Sequence, residues 1–260
     1  MKKITLIIIF LFFTTVTNCI AENNTLSNHI NNNWTGLIRI EGKETTIWNG
    51  EISVSETTFF AKNVDTGENE EHYISYPSVL GAVIEASKSN NGNFGYAIEY
   101  YPSYESFIFT SIEGDGNWWQ YWVDDIYQNI GASDYELTSE TSILFAYKET
   151  WPAQALHIMV DKSEVKRNEE FTAIVTDFDH NLIADAIVIV GSESYVTGVD
   201  GKVMISLTTK GMYDIYAEKE GFVRSEKVPI QVKRSNSLHL NFQNFITLFE
   251  HFKLYISLPF

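Results

Sequence analysis

The chain is poor in cysteine, in positive charge and in long apolar runs. Cys19 is its only cysteine, so no disulfide can close within the chain and no thiolate chemistry lies beyond that position. Stability has to come from hydrophobic burial, and 260 residues at 44% hydrophobic content suffice for one or two cores. Lys and Arg number 18 against 34 Asp and Glu, a formal net charge of −16. No basic patch interrupts that balance, which repels phosphate backbones and excludes nucleic acid as a partner. No apolar run reaches the roughly 20 residues of a spanning helix. Also missing are a Gly-x-Ser-x-Gly elbow, a His-Glu-x-x-His helix and a phosphate-cradling glycine loop. His29, His72, His157, His180, His239 and His251 show no metal-ligand spacing, and there is no internal repeat. The reading is of a protein that is not an enzyme and has no metal site.

The first residues do carry a signal. Met1-Lys2-Lys3 is positive, Ile4 to Phe13 is apolar, and Cys19-Ile20-Ala21 ends small. Charge, a short apolar core and a small exit residue predict a secretory signal over residues 1–21, hence an extracellular or cell-surface location. Cleavage after Ala21 is the first choice, and a lipid-modified Cys19 is the runner-up, disfavoured by Asn18. Loss of Lys2 and Lys3 with the signal takes the charge to −18. Residues 22–33 form a polar lead-in, with Asn-x-Ser/Thr glycosylation sites at Asn23 and Asn33.

Residues 34–151 are rich in aromatics and short alternating strands. Leu37 to Ile40 and Glu51 to Val54 read as strands, with Gly42 and Asn49-Gly50 as turns. Pro77 to Lys88 predicts the main helix: Val79, Leu80, Val83 and Ile84 share one face, Pro77 opens the first turn and Asn90-Asn91-Gly92 ends it. Strands resume at Tyr96 to Tyr101, Phe107 to Ile112, Trp118 to Val123 and Ile143 to Tyr147. This order is α+β, mostly antiparallel strands with one main helix.

From 155 to 233 short β runs recur at regular spacing: Leu156 to Val160, Phe171 to Thr176, Ala186 to Val190, Val203 to Leu207, Tyr213 to Ala217 and Val228 to Val232. That spacing predicts an all-β immunoglobulin-like sandwich, with the boundary near Glu149 to Gln154, around Pro152. The tail, 234–260, alternates at Leu238, Leu240 and Phe242, then repeats at helical spacing at Phe245, Phe249, Phe252 and Ile256. It can lie on a membrane surface, dock on the sandwich, or be the remnant of a lost anchor. A membrane is otherwise approached only by way of a lipid at Cys19.

Two stretches of the first half, in order, carry a family resemblance. One is the helix Tyr76-Pro77-Ser78-Val79-Leu80-Gly81-Ala82-Val83-Ile84-Glu85-Ala86. The other is Phe107 to Tyr121, with Thr110-Ser111-Ile112 and Trp118-Trp119-Gln120-Tyr121, followed by Gly131-Ala132-Ser133-Asp134-Tyr135-Glu136-Leu137 and the strand Ile143 to Tyr147. This resembles the C-terminal β-domain of transcobalamin and intrinsic factor, over about residues 35–148. The resemblance implies a β-grasp-like fold and places Trp119, Gln120 and Tyr121 where that domain touches a bound corrinoid. The animal carriers' helical barrel has no counterpart here, so a soluble ligand is the broader inheritance, with weak binding or a second surface protein closing the other side. The second half resembles immunoglobulin-like and carboxypeptidase-regulatory-like surface modules at Asp200-Gly201-Lys202-Val203 and Gly211 to Ala217.

Trp118-Trp119-Gln120-Tyr121-Trp122 is the richest candidate site. On a strand, Trp118, Gln120 and Trp122 face one way, and Trp119 and Tyr121 the other; one set belongs to a core, and the other is either sheet surface or a stacking platform. Asp124-Asp125 reads as solvated acids closing the strand, and Asp177-Phe178-Asp179-His180-Asn181 as a turn rather than a calcium loop, for want of a glycine and a distant glutamate. Glu99 and Glu105 have the chemistry of a glycoside-cleaving pair but read as solvated. The expectation is an exported, non-enzymatic protein that binds a corrinoid or another large, partly apolar small molecule at Trp119, Gln120 and Tyr121, with no covalent cofactor. The alternative is a structural or adhesive surface protein with no small ligand.

Overall fold

The computed structural model describes residues 33–89, 93–139 and 141–234. The signal sequence, Cys19, Asn23, the Asn90-Asn91-Gly92 helix stop and the tail beyond Arg234 lie outside them. Among the described residues no helix is long and apolar enough to cross a membrane. The described residues are mostly β, with one α-helix and four sheets.

The first half contains strands β1 (Trp34–Glu41), β2 (Thr46–Val54), β3 (Thr57–Asn63) and β4 (Asn69–Ile74), helix α1 (Val79–Lys88), then β5 (Tyr96–Tyr101), β6 (Ser106–Ile112), β7 (Trp119–Val123), β8 (Ile126–Gln128) and β9 (Ser142–Tyr147). One sheet has the order β2-β1-β9-β7-β8, the other β4-β3-β5-β6. Most neighbours are antiparallel; β1 and β9 run parallel, as do β3 and β5. Helix α1 packs on β2 and β1, and Leu80, Val83 and Ile84 join Ile38, Ile40, Phe59 and Phe109 in one core between the two sheets.

The helix starts two residues later than its proline suggests. Ser78 is its N-cap, accepting a hydrogen bond from the Gly81 N–H at 3.0 Å, so Pro77 stands outside the first turn. A serine oxygen satisfies an otherwise orphaned helix donor, which proline cannot do. Strands β3 and β4 have no counterpart in the sequence reading. In β3, inward Phe59 neighbours outward Phe60, which is 63% exposed, so residue types mask a strict in–out alternation.

The second half contains β10 (Gln154–Val160), β11 (Glu164–Lys166), β12 (Glu170–Asp177), β13 (Ile187–Val190), β14 (Glu193–Val196), β15 (Lys202–Ser206), β16 (Gly211–Glu218), β17 (Phe222–Val223) and β18 (Val228–Lys233). Two sheets, β15-β12-β10-β17 and β11-β18-β16-β13-β14, face each other. Ile158, Phe171 and Val175 from the first meet Val188, Ile215 and Ile230 from the second in a closed apolar core, so this half is a β-sandwich.

A third core cluster joins the halves: Trp122, Leu144 and Ala146 from the first pack with Ala153, Ala155 and Val223. The central strands β9 and β7 of the β2-β1-β9-β7-β8 sheet are therefore buried on both faces. Along β9, Ile143 and Phe145 enter the first core while Leu144 and Ala146 enter the joint. Such a strand reads as a continuous apolar run, as the sequence Ile143-Leu144-Phe145-Ala146 does.

Candidate functional site

The alternation of β7 sends its residues to two destinations. Tyr121 and Val123 enter the first core, with Trp119 packed against it, while Trp122 faces the joint. Pairing with β9 is regular from Trp119↔Tyr147 to Val123↔Ile143, with no bulge to bring neighbouring residues to one side. A single ligand therefore does not stack on Trp119 and meet the Gln120 side chain together. Trp118 precedes the strand and is 45% exposed.

Gln120 is buried, and its amide is engaged within the protein. Nε2 donates to the carbonyls of Lys148 at 2.9 Å and Thr150 at 2.7 Å, and Oε1 accepts from the Ala153 N–H at 2.9 Å. Both donor hydrogens and the carbonyl oxygen hold the connection between the halves; Gln120, expected to bind ligand, borders the groove beside β7, but its amide is spent on the joint. Tyr121 is buried too. Its hydroxyl donates to the Ile130 carbonyl at 3.0 Å, and burial holds its pKa far above the ordinary phenol value.

Trp119 borders open space. Its ring stacks on Phe145, with centroids 5.6 Å apart and planes 13° from parallel, and meets Tyr147 edge-on at 5.7 Å. A groove of about 310 Å3 runs between β6 and β7, lined by Phe107, Phe109, Trp119, Tyr121, Phe145 and Trp151. Ile108, Ile130 and Trp151, which also line it, are 41%, 50% and 60% exposed. The Trp119 indole N–H is buried and meets no acceptor among the described residues. The groove thus offers aromatic faces and an apolar rim. Trp119 is one of the residues named from the sequence; Phe107 and Ile108 reach the groove from β6 and Trp151 from the β9–β10 connection, and none of the three carries a local signal of it.

A larger cleft, about 790 Å3, lies at the joint and is bordered by Asp124, Asp125, Asp177 and Asp179. Its carboxylates are largely committed to structure. Asp124 and Asp125 form the two-residue β7–β8 turn with φ of 47° and 65°, a left-handed pair that suits tight hairpins. Asp124 accepts from the Ser142 N–H at 2.8 Å, and Asp125 lies 3.0 Å from His157 Nε2. Asp177 accepts from the Asn181 N–H and Nδ2 at 2.8 and 3.0 Å, so the Asp177–Asn181 segment is a hydrogen-bonded turn. Glu99, on β5, accepts from the Tyr101 hydroxyl at 3.0 Å, and Glu105 sits in an exposed turn with φ 48°.

The joint also holds charges that no local pattern pairs. Glu41, 1% exposed, lies 3.0 Å from Arg39 Nη1 and 2.7 Å from Arg224 Nε. Arg224 also donates to the carbonyls of Gly42 and Glu44 at 2.7 and 2.6 Å. His157 bridges Asp125 and Glu226, at 3.0 and 3.2 Å, with its ring against Phe178 at 4.4 Å. Its pKa is raised, chiefly by the Glu226 hydrogen bond and against the effect of burial, with Asp125 adding to the rise. Burial pushes Glu226 up, but His157 and Arg39 together hold it below its ordinary value.

The sequence model of one family, described as a domain of unknown function (DUF4430), matches residues 78–149. The match runs from the N-cap of α1 past β9, so it takes in the groove strands β6 and β7 but covers less than half of the chain. No curated protein matches. Among solved structures, the D0-D1 domain of Intimin is 18% identical over 38% of this chain, with a TM-score of 0.24, and the chain spans 56% of that fragment. Murine CEACAM1b is 9% identical over 77% of this chain and 100% of its own, with a TM-score of 0.24. The D00-D0 domain of Intimin is 11% identical over 76% of this chain and 99% of its own, with a TM-score of 0.22. Superpositions this loose carry no argument about site or partner, and the resemblance to transcobalamin rests on the sequence order alone.

Proposed function

We propose that this is an exported, non-enzymatic surface protein of the adhesive class, in which the first half makes contact through the aromatic groove and the immunoglobulin-like sandwich is its rigid support. The observation that carries the reading is the groove's form. It is small, about 310 Å3, at the low end for a small-molecule pocket, yet its rim exposes Ile108, Ile130 and Trp151. A small hollow within an exposed apolar rim suits a side chain projecting from another surface better than an enclosed molecule. The joint supports the second part: buried ion pairs and a shared apolar cluster fix the sandwich to the first half.

The second reading is a corrinoid or similar large, partly apolar ligand, favoured by Trp119 lying in the groove. It draws on the transcobalamin resemblance, and the parallel β1–β9 pair with α1 packed against β1 and β2 is the arrangement a β-grasp-like domain requires. Tryptophan fluorescence of the purified protein, titrated with cobalamin, with cobinamide and with a short phenylalanine-containing peptide, separates the two. Saturable peptide binding that is lost in Trp119→Ala, beside a flat corrinoid response, is the expected result. Saturable corrinoid quenching lost in Trp119→Ala would establish the second reading instead, and flat responses to all three would remove the groove as a binding site.

A further inference from the structure

We propose that the outer edge of β6 accepts an extended segment of a partner polypeptide as a fifth strand, with one apolar side chain of that segment seated in the groove and basic residues flanking it. The proposal rests on the groove being a contact site and names what fills it.

Four consecutive residues, Ser106 to Phe109, line the groove. Successive side chains of a strand point to opposite faces, so a run of four borders a cavity only where the strand's edge, backbone included, faces it. β6 is the terminal strand of the order β4-β3-β5-β6 and pairs with β5 from Ser106 to Ile112. In an antiparallel pair, alternate N–H and C=O groups point away from the partner. Among the described residues, the only backbone hydrogen bonds on that outer side are those between Ile112 and Asp115, at the strand's end.

Sheet edges are normally blunted by charge, proline or a bulge. From Ser106 to Ile112 there is no charged residue and no proline, and the extra residue of the one bulge is Thr110, outside the groove-lining stretch. Outward-facing Ile108 is 41% exposed. An unblunted edge beside an apolar hollow is the arrangement used when a partner strand is added: main-chain bonds supply the pairing and a side-chain pocket the selectivity.

Repeating donors and acceptors at strand spacing match only another extended backbone. The hollow has room for one or two large side chains. Glu99, in register with Ile108, and Glu105, in the preceding turn, add local negative charge to a chain whose net charge is already −16. Basic flanks on the segment complement them.

The test is calorimetry on the full chain with three probes. One is a synthetic octapeptide of alternating threonine and valine with a central phenylalanine and a lysine at each end. The second is the same peptide N-methylated at alternate residues, which keeps the side chains but removes edge pairing. The third is benzyl alcohol, which can enter the groove only. The unmodified peptide should bind at least tenfold more tightly than its methylated form and slow hydrogen exchange over residues 106–111. Equal affinity of the two peptides, unchanged exchange at those residues, or binding of benzyl alcohol alone would overturn strand addition and leave the groove reading standing. Failure of all three probes to bind would overturn both.

Discussion

Gln120 shows how a residue that looks made for recognition can belong to architecture. Its three hydrogen bonds fall on backbone groups of Lys148, Thr150 and Ala153, the segment that leads from β9 into β10. Among the described residues no other side chain pairs with those groups, so the connection depends on this one amide. Gln120→Ala leaves one buried N–H and two carbonyls without it, each worth about 1–3 kcal/mol when left unsatisfied and desolvated. With partial relaxation and some water entry, the variant should lose roughly 2–4 kcal/mol of stability, read as a lowered urea midpoint. Titration of the groove with benzyl alcohol should be unaffected at temperatures where the variant is folded. A stability change below about 0.5 kcal/mol, the usual range of a surface substitution, would mean that the segment holds itself. The sequence showed the amide's chemistry and the alternation of its strand; it could not show that the second face of the sheet is covered by another half of the same chain, because that covering comes from residues such as Val223, about a hundred positions away.

At the scale of the element, helix α1 was the most legible feature, because an apolar face at helical spacing is a strong local signal. Its fit against the sheet was not legible. Gly81 looks like a weakness in a ten-residue helix, where alanine would be favoured by about 1 kcal/mol. The backbone gives the reason for it: a β-carbon there would press on Thr57 Oγ1 and lie 3.0 Å from Val54 Cγ2, both on buried, β-branched side chains with little freedom to turn away. Overpacking of this kind costs about 1–3 kcal/mol, so it outweighs the propensity gain. Gly81→Ala should therefore destabilise the protein by roughly 1 kcal/mol, seen as a lower thermal midpoint, and a rise in the midpoint would show that the helix can shift outward. Strands β3 and β4 escaped the sequence reading for a related reason. Thr-Thr-Phe-Phe-Ala-Lys-Asn and Asn-Glu-Glu-His-Tyr-Ile do not alternate by residue type, although the folded strands alternate by burial. A sandwich strand such as β18, Val-Pro-Ile-Gln-Val-Lys, was readable because there residue type and burial largely agree.

Across the whole molecule, the joint is the feature that no local pattern announced and that decides how the halves act together. Strand β18 begins beside Glu226, next to the joint, and its six residues lead about 20 Å along the sandwich before Arg234. The groove half is therefore held by contacts made at the near end of the sandwich. The ionic part of that hold, Asp125–His157–Glu226, must respond to pH, and the sign follows from the two shifts. His157 binds its proton more tightly in the folded protein than at its ordinary value of 6.5. Its contribution is fully present below about pH 6.5 and is lost as pH rises through the raised value. Glu226 is held below its ordinary 4.5, so its contribution is present above about pH 4.5 and is lost as pH falls through the lowered value. The charged pair should therefore hold the halves together best between about pH 4.5 and 6.5 and weaken on both sides. Many other groups titrate over the same range, so the informative quantity is a difference: the thermal midpoint of the protein minus that of His157→Gln, followed from pH 4 to 9. Glutamine keeps a polar side chain of similar length but carries no charge. The difference should be greatest in that mildly acidic window and shrink towards pH 8 to 9. A difference that stays constant from pH 5 to 9 would mean that His157 pairs as a neutral ring and that the joint does not sense pH.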